Sequence, residues 1–509
     1  MPLARTIMIQ GTASHAGKSL LVAGLARIMA QDGFSVAPFK SQNMSLNSFA
    51  CAEGGEMGRA QVVQAEAAGV EPRVDMNPVL LKPTTETGAQ VVIQGRPVAT
   101  MTAQSYHDYK LGLLDAVSES LERLRRDFQV VVIEGAGSPA EVNFRGRDIA
   151  NMAVAEMADA PVLLAGDIER GGVFASLVGT MELLEDDERG RVQGFVINKF
   201  RGDRSILEPG LDFLEARCHL PVLGVVPYIR DLRIEEEDSV ALKPPGGAAD
   251  ALWPSDVRPV ARDNGHAVRI RVARLPRLSN FTDFDALKAC PGFDVEYADH
   301  AAALADADLI VIPGTKSTIA DLRFLWSSGM AAQIIRRARA GVPVIGICGG
   351  YQMLGKAVHD PEGIDSQAGT VKGLGLLDIE TVFGARKDTR QARGRVVGDN
   401  SLLAAGTLVE GYEIHMGQSS RGPGARHFIE TEHGEDGAVS GDGLVLGSYL
   451  HGLFDSDEVL AGLLAHFGCP AELPMIGRGL IKEHEYDRLA RELRQALDIE
   501  RVYEIMGID

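Results

Sequence analysis

Apolar positions along the chain gather into short continuous runs separated by longer amphipathic stretches, and the runs recur in two zones. In the first zone they cover residues 6–10, 36–39, 130–133, 161–165, 195–198 and 222–226. Runs of this kind, rich in Val and Ile, predict strands buried on both faces, as in a parallel sheet covered by helices. The second zone begins near residues 268–273 and continues through 309–312, 343–347 and 444–449. Between the zones the pattern decays. Glu235-Glu-Glu-Asp238 leads into Lys243-Pro-Pro-Gly-Gly247 and Pro254, the composition of a linker. Leu489, Leu493 and Leu497 recur every four positions among mixed charges and predict an amphipathic helix docked on the protein body. The expected class is α/β. It comprises a first domain over residues 1–234, a linker over 235–266, a second domain over 267–460 and a C-terminal helical tail over 461–509.

Composition narrows the function classes. The 509 residues are 45% hydrophobic and 24% charged, which excludes a disordered chain or a coiled-coil rod. No run reaches the roughly 18 apolar residues of a spanning helix. The first ten residues hold no long apolar core and no small-residue cleavage site, so no secretory leader is expected. Cys51, Cys218, Cys290, Cys348 and Cys469 are scattered and odd in number, with no CxxC pair. They predict neither a disulfide framework nor a cysteine metal site, and they point to a reducing cytoplasm. The net charge of −19 argues against a nucleic-acid partner. It does not distinguish a monomer from a homo-oligomer.

The first strand runs into Gly11-Thr-Ala-Ser-His-Ala-Gly-Lys-Ser19, with a helical stretch behind it. Strand, glycine loop, Lys-Ser and helix are the parts of a P-loop, in which backbone N–H groups and a helix N-terminus cradle phosphate. Gly11, Thr12 and Gly17 would shape the loop, Lys18 would reach the β- and γ-phosphates of ATP, and Ser19 would ligate Mg²⁺. Five residues, not the usual four, lie between Gly11 and Gly17. Glu134 ends the run Val131-Val-Ile-Glu134, where a carboxylate can hold Mg²⁺. Asp167, after residues 161–166, is a further candidate for metal binding or for positioning water. Asp148 lies in a loop that follows Glu134, and such loops line the crevice of a doubly wound sheet.

The second zone carries Val344-Ile-Gly-Ile-Cys348-Gly-Gly-Tyr-Gln352. An apolar strand, Gly-x-Cys-x-Gly and a following helix make a nucleophile elbow, which holds a reactive thiol up at a turn. Such a thiolate needs a proton-transfer partner. His451, in Gly447-Ser-Tyr-Leu-His451, follows a strand and is one candidate; His415, in Gly411-Tyr-Glu-Ile-His415-Met-Gly417, is the other.

The long phosphate loop resembles that of dethiobiotin synthetase and its relatives. This implies a P-loop NTPase-like parallel sheet, activation of a carboxylate by ATP, a second catalytic lysine at Lys40 in Phe39-Lys-Ser41, and an adenine contact at Asn198. The elbow resembles that of the class I glutamine amidotransferases. This implies a flavodoxin-like, three-layer domain with L-glutamine as nitrogen donor, Cys348 as nucleophile and His451 as base. It also implies an oxyanion site from the Gly349 N–H and the Gly314 loop, and a glutamine contact at Gln352. Most members carry a glutamate two residues after the histidine. That position is Leu453 here, so Glu413, Asp455 or no acid at all would orient the imidazole.

Taken together, several stretches resemble the cobyric acid synthase family: Phe39-Lys-Ser-Gln-Asn-Met-Ser-Leu-Asn47, Asp75-Met-Asn-Pro-Val-Leu-Leu-Lys-Pro83, residues 167–174, Arg274-Leu-Pro-Arg-Leu-Ser-Asn-Phe-Thr-Asp-Phe-Asp285 and residues 411–417. The resemblance implies ATP- and glutamine-dependent amidation of four peripheral carboxylates of the corrinoid adenosylcobyrinic acid a,c-diamide. Cobyrinic acid a,c-diamide synthases form a neighbouring family of the same chemistry. A partitioning-type ATPase shares the phosphate loop but leaves Cys348 unexplained, and a dethiobiotin-type ligase would leave the second domain structural.

Overall fold

The computed structural model describes residues 3–84, 87–235, 267–367, 369–469 and 478–508. Residues 236–266 of the expected linker lie outside them. The chain forms two compact units that do not follow chain order. One comprises Met1–Ser45, Gly55–Glu235 and Gly479–Asp509; the other comprises Leu46–Gly54 and Glu236–Arg478. Two short segments thus leave the half of the sequence in which they lie, a division that apolar periodicity does not encode.

The first unit is built on a parallel sheet in the order Val222–Pro227, Val192–Phe200, Val162–Asp167, Arg5–Gly11, Val130–Glu134, Val36–Phe39. Its central strands are buried along their whole apolar length, as their composition requires. Gln42–Met44, Val79–Pro83, Gly88–Ile93 and Arg96–Thr102 add a smaller mixed sheet. The helix Arg478–Ala496 docks where the leucine spacing predicts an apolar face: Leu489, Leu493 and Leu497 are buried in the core of this unit with Leu21, Leu25 and Ile28. They lie against the helix Lys18–Gln31 that follows the phosphate loop. At Gly24 a methyl group would sit 2.3 Å from Leu493 Cδ1, so the leucine side chains of the docked helix pack directly over this glycine.

The second unit has a sheet in the order Phe293–Ala298, Val268–Ala273, Leu309–Ile312, Val344–Ile347, Val445–Ser448, Ala438–Ser440, Ala425–Arg426. Its pairings are parallel as far as Val445–Ser448 and antiparallel beyond. A second sheet is dominated by the long antiparallel pair Ile379–Val396 and Leu408–Arg421. Among the described residues no helix is long and apolar enough to cross a membrane.

Candidate active site

In the first unit the phosphate loop joins the strand Arg5–Gly11 to the helix Lys18–Gln31. Gly17 caps this helix at φ 90°, and a methyl group there would meet the Asn198 amide 2.1 Å away. Only glycine satisfies both constraints. The Asn198 side chain donates to Ala16 O at 2.9 Å, so the structure brings Asn198 to the back of the loop. Lys18 Nζ donates to Ala13 O at 3.0 Å and to Gly137 O at 2.9 Å, spanning the phosphate loop and the turn after Glu134. Thr12 N donates to Ala165 O.

Glu134 is the hub. It ends the strand Val130–Glu134 and is 1% exposed. Its Oε1 accepts from Ser19 Oγ at 2.8 Å and from Lys40 Nζ at 2.9 Å. Its Oε2 accepts from the amides of Gln64 at 2.5 Å and Gln61 at 3.4 Å. Gln61 and Gln64 lie on the helix Arg59–Ala67 and escape a sequence reading, because glutamines on a helix carry no motif. The hard oxygens of Ser19 and Glu134 suit Mg²⁺, which takes one or two protein ligands and completes its shell with phosphate and water. Among the described residues no group of three or more His, Cys, Asp or Glu is placed to hold a metal ion.

Asp167 stands apart from this hub. Its carboxylate accepts from Lys199 Nζ at 2.9 Å and from Glu169 N at 2.9 Å, which groups it with the Asn198–Lys199 turn. Asp148 accepts from the backbone N–H of Ala150, Asn151 and Ala153. Asn151 in turn holds both Ala136 N and Ala136 O, so the Asp148 loop secures the turn that follows Glu134.

In the second unit Cys348 sits between the strand Val344–Ile347 and the short helix Gly349–Leu354, at φ 49°. A methyl group at Gly350 would lie 2.0 Å from Ile312 O, so the tight elbow depends on that glycine. His451 is 1% exposed and interacts electrostatically with Cys348. Its Nδ1 lies 2.7 Å from Asp283 Oδ2, while Asp283 Oδ1 accepts from Gly452 N at 3.1 Å. Asp283 therefore fills the place for which Glu413 and Asp455 are the sequence candidates. Glu413 instead pairs with Arg390 Nη2 at 2.7 Å and with His415 Nε2 at 3.5 Å. The one sequence signal for Asp283 is its presence in the 274–285 stretch.

Burial alone would raise the Cys348 thiol, but the imidazoles of His451 and His415 and the Gly349 N–H hold it below its ordinary range. Burial alone would lower His451; Asp283 and Cys348 outweigh it and raise the imidazole. The pair thus favours thiolate and imidazolium. Burial alone would lower His415, but Glu413, Cys348 and Gly417 O together raise it, and its ring stacks on Tyr449 at 3.8 Å. Gly314 packs so tightly on His451 that a methyl group there would lie 2.8 Å from Cε1, and one at Gly349 would lie 3.2 Å from Thr315 N. The structure therefore brings Gly314, Gly349, Cys348 and His451 together. Gln352 is buried behind them; its Oε1 accepts from Thr318 Oγ1 at 2.9 Å, and its Nε2 donates to Tyr449 Oη at 3.4 Å.

A thiol–imidazole–carboxylate array on one α/β unit and a phosphate loop on another define a glutamine amidotransferase joined to a nucleotide-binding domain. Family models agree: the CobQ/CobB/MinD/ParA nucleotide binding domain matches residues 7–240, and the CobB/CobQ-like glutamine amidotransferase domain matches residues 269–459. The chain is 50% identical to a cobyric acid synthase of Pelotomaculum thermopropionicum, over 99% of this chain and 97% of the relative. It is 50% identical to one of Sorangium cellulosum, over 99% of each, and 48% identical to one of Moorella thermoacetica, over 100% of this chain and 98% of the relative. Among solved structures, PurLQS from Thermotoga maritima is similar over 40% of this chain and 99% of its own, with a TM-score of 0.31 and 18% identity. The chain belongs to the cobyric acid synthase family, whose members are glutamine amidotransferase ligases.

Proposed function

We propose that the protein amidates peripheral carboxylates of a corrinoid, adenosylcobyrinic acid a,c-diamide, using ATP and glutamine in the cytoplasm. The observation that carries this reading is the pairing of two sites in one chain: Ser19 and Lys40 on the Glu134 carboxylate with Lys18 held between the phosphate loop and the turn after Glu134, and His451 hydrogen-bonded to Asp283 and coupled electrostatically to Cys348. The near full-length likeness to cobyric acid synthases supports the substrate class. That the five cysteines are scattered and odd in number, with no CxxC pair, supports a reducing compartment.

The chemistry divides between the sites. At the first, a substrate carboxylate oxygen bonds the γ-phosphorus of ATP, and ADP leaves with the electron pair of the broken P–O bond, giving an acyl phosphate. Lys18 and Lys40 supply positive charge as negative charge shifts in the transition state. Asn198 contacts adenine from behind the loop. Mg²⁺, held by Ser19 and Glu134, would offset phosphate charge. Gln61 and Gln64 keep Glu134 aimed.

At the second site the Cys348 thiolate attacks the side-chain amide carbon of glutamine. The oxyanion is met by the Gly349 N–H and by an N–H of the Gly314 loop. His451 gives its proton to the departing ammonia, then takes one from the water that hydrolyses the thioester to glutamate. Asp283 holds the imidazole in the tautomer that faces the sulfur. His415 adds positive potential beside the thiolate, and Gln352 lines the glutamine pocket. Ammonia then attacks the acyl carbon, and phosphate leaves.

The test is mass spectrometry of adenosylcobyrinic acid a,c-diamide after incubation with ATP and glutamine. Stepwise exchange of OH for NH₂ at four carboxylates is expected. No exchange, or amidation of the a and c carboxylates of cobyrinic acid instead, contradicts the reading.

A further inference from the structure

Two of the stretches that mark the family in the sequence, residues 39–47 and 274–285, lie far apart in the chain, and no step of the chemistry above uses their asparagines. Within the second unit those asparagines meet. Asn47 Oδ1 accepts from Phe281 N at 3.2 Å, and Asn280 Oδ1 accepts from Ser48 N at 3.1 Å. The two side chains exchange hydrogen bonds with each other's following backbone N–H, and both are buried.

What this latch holds is specific. Asn280 sits at φ 52° and begins the single helical turn Phe281–Phe284, which carries Asp283. Asparagine adopts this left-handed conformation more readily than most residues. The Phe281 N–H is one of the orphan donors at the start of that turn, so Asn47 satisfies it from outside. Asp283, two residues further on, orients His451.

The same segment reaches His451 by a second route. The Phe49 ring packs on Tyr412 at 4.9 Å, and Tyr412 stacks on His451 at 5.3 Å with an angle of 19° between the rings. Backbone bonds join Tyr412 and His451 in both directions, at 3.1 and 2.8 Å. Ala50 is buried with Tyr412 and Ile414, and Ile414 O lies 3.6 Å from Cys348 Sγ.

We infer that Leu46–Gly54, a segment from the ATP-binding half of the sequence, is a working part of the glutaminase site, in which Asn47 and Asn280 are positioning residues that set Asp283 against His451. This rests on the glutaminase reading of Cys348. Lys40 precedes Asn47 by only seven positions. Deleting or replacing the segment would therefore disturb glutamine hydrolysis although it lies outside the stretch matched by the amidotransferase model.

The test uses the full-length protein carrying Asn47→Ala or Asn280→Gly; the latter removes the acceptor while keeping the positive φ unstrained. Small displacement of a catalytic array costs up to about 100-fold, so kcat for glutamine hydrolysis should fall about 10-fold or more while KM for glutamine stays within about twofold. The acid limb of the pH–rate profile should move to higher pH, in the direction produced by Asp283→Asn, because a loosened Asp283 no longer supports the thiolate–imidazolium pair. Amidation driven by ammonium salt should stay within about twofold of wild type. Wild-type kcat and pH profile in both variants, or equal loss of glutamine- and ammonia-driven amidation, overturns the inference. Should Asn47→Ala not fold, Asn280→Gly decides by the same criteria. Cys348→Ala is assayed alongside. If it still hydrolyses glutamine, the glutaminase reading falls and takes this inference with it. If it is inactive while both asparagine variants behave as wild type, only the positioning role falls.

Discussion

Asp283 Oδ2 lies 2.7 Å from His451 Nδ1, although 168 positions separate the two residues in the chain. A carboxylate this close to an imidazole, with both groups buried, favours the charged ring and fixes its orientation. The glutaminase site therefore has its third member, supplied from the helical turn Phe281–Phe284 and not from the loop that follows His451.

Asp283→Asn should uncouple this support. In the wild-type protein Cys348 is held below the ordinary thiol range and His451 above the ordinary imidazole range, so thiolate is retained to lower pH than in an ordinary thiol and is lost as pH falls through the depressed thiol pKa. Without the carboxylate charge the imidazole falls back and the thiol rises. The acid limb of kcat/KM for glutamine should shift upward by about 1–3 pH units. An unchanged pH profile would remove Asp283 from the mechanism.

Lys18→Ala and Glu134→Gln act before nitrogen enters. Each should lower amidation at least about 100-fold with either glutamine or ammonium as donor, since both groups serve phosphoryl transfer. Basal glutamine hydrolysis by these variants should persist. Measured ammonia-driven amidation near the wild-type rate would contradict the phosphate-site assignment.

Leu493→Ala tests the docking of the C-terminal helix. Leu493 is 1% exposed and packs directly over Gly24. A truncation there should destabilise the first unit by about 2–5 kcal/mol, read from its denaturant unfolding transition. Leu183→Ala, at a position 47% exposed, should change stability by no more than about 0.5 kcal/mol. Equal behaviour of the two variants would contradict the docked helix.

Continuous apolar runs made the parallel strands of both units legible, and glycine–cysteine and glycine–lysine motifs located the elbow and the phosphate loop, because close backbone approach restricts those positions to few residue types. The long pair Ile379–Val396 and Leu408–Arg421 was not legible. Its middle carries Arg386, Lys387, Asp388, Arg390, Arg393 and Arg395 and is mostly half-buried, so the alternation that begins at residues 379–383 does not continue as an apolar period of two. Asp283 escaped for another reason: an acid that acts through tertiary contact has no fixed spacing from its histidine. The same holds for Gln61, Gln64 and Asn47, whose polarity in the sequence reads as surface and whose burial emerges only in the fold.

The most direct test of two sites in one chain is amidation by Cys348→Ser, compared with glutamine at neutral pH and with ammonium salt at high pH. Serine is nearly isosteric, and its hydroxyl pKa is too high for His451 and the elbow to make it a comparable nucleophile. Glutamine-driven amidation should vanish while ammonia-driven amidation stays close to wild type. Loss of both activities in the folded variant, or survival of both, would contradict the account.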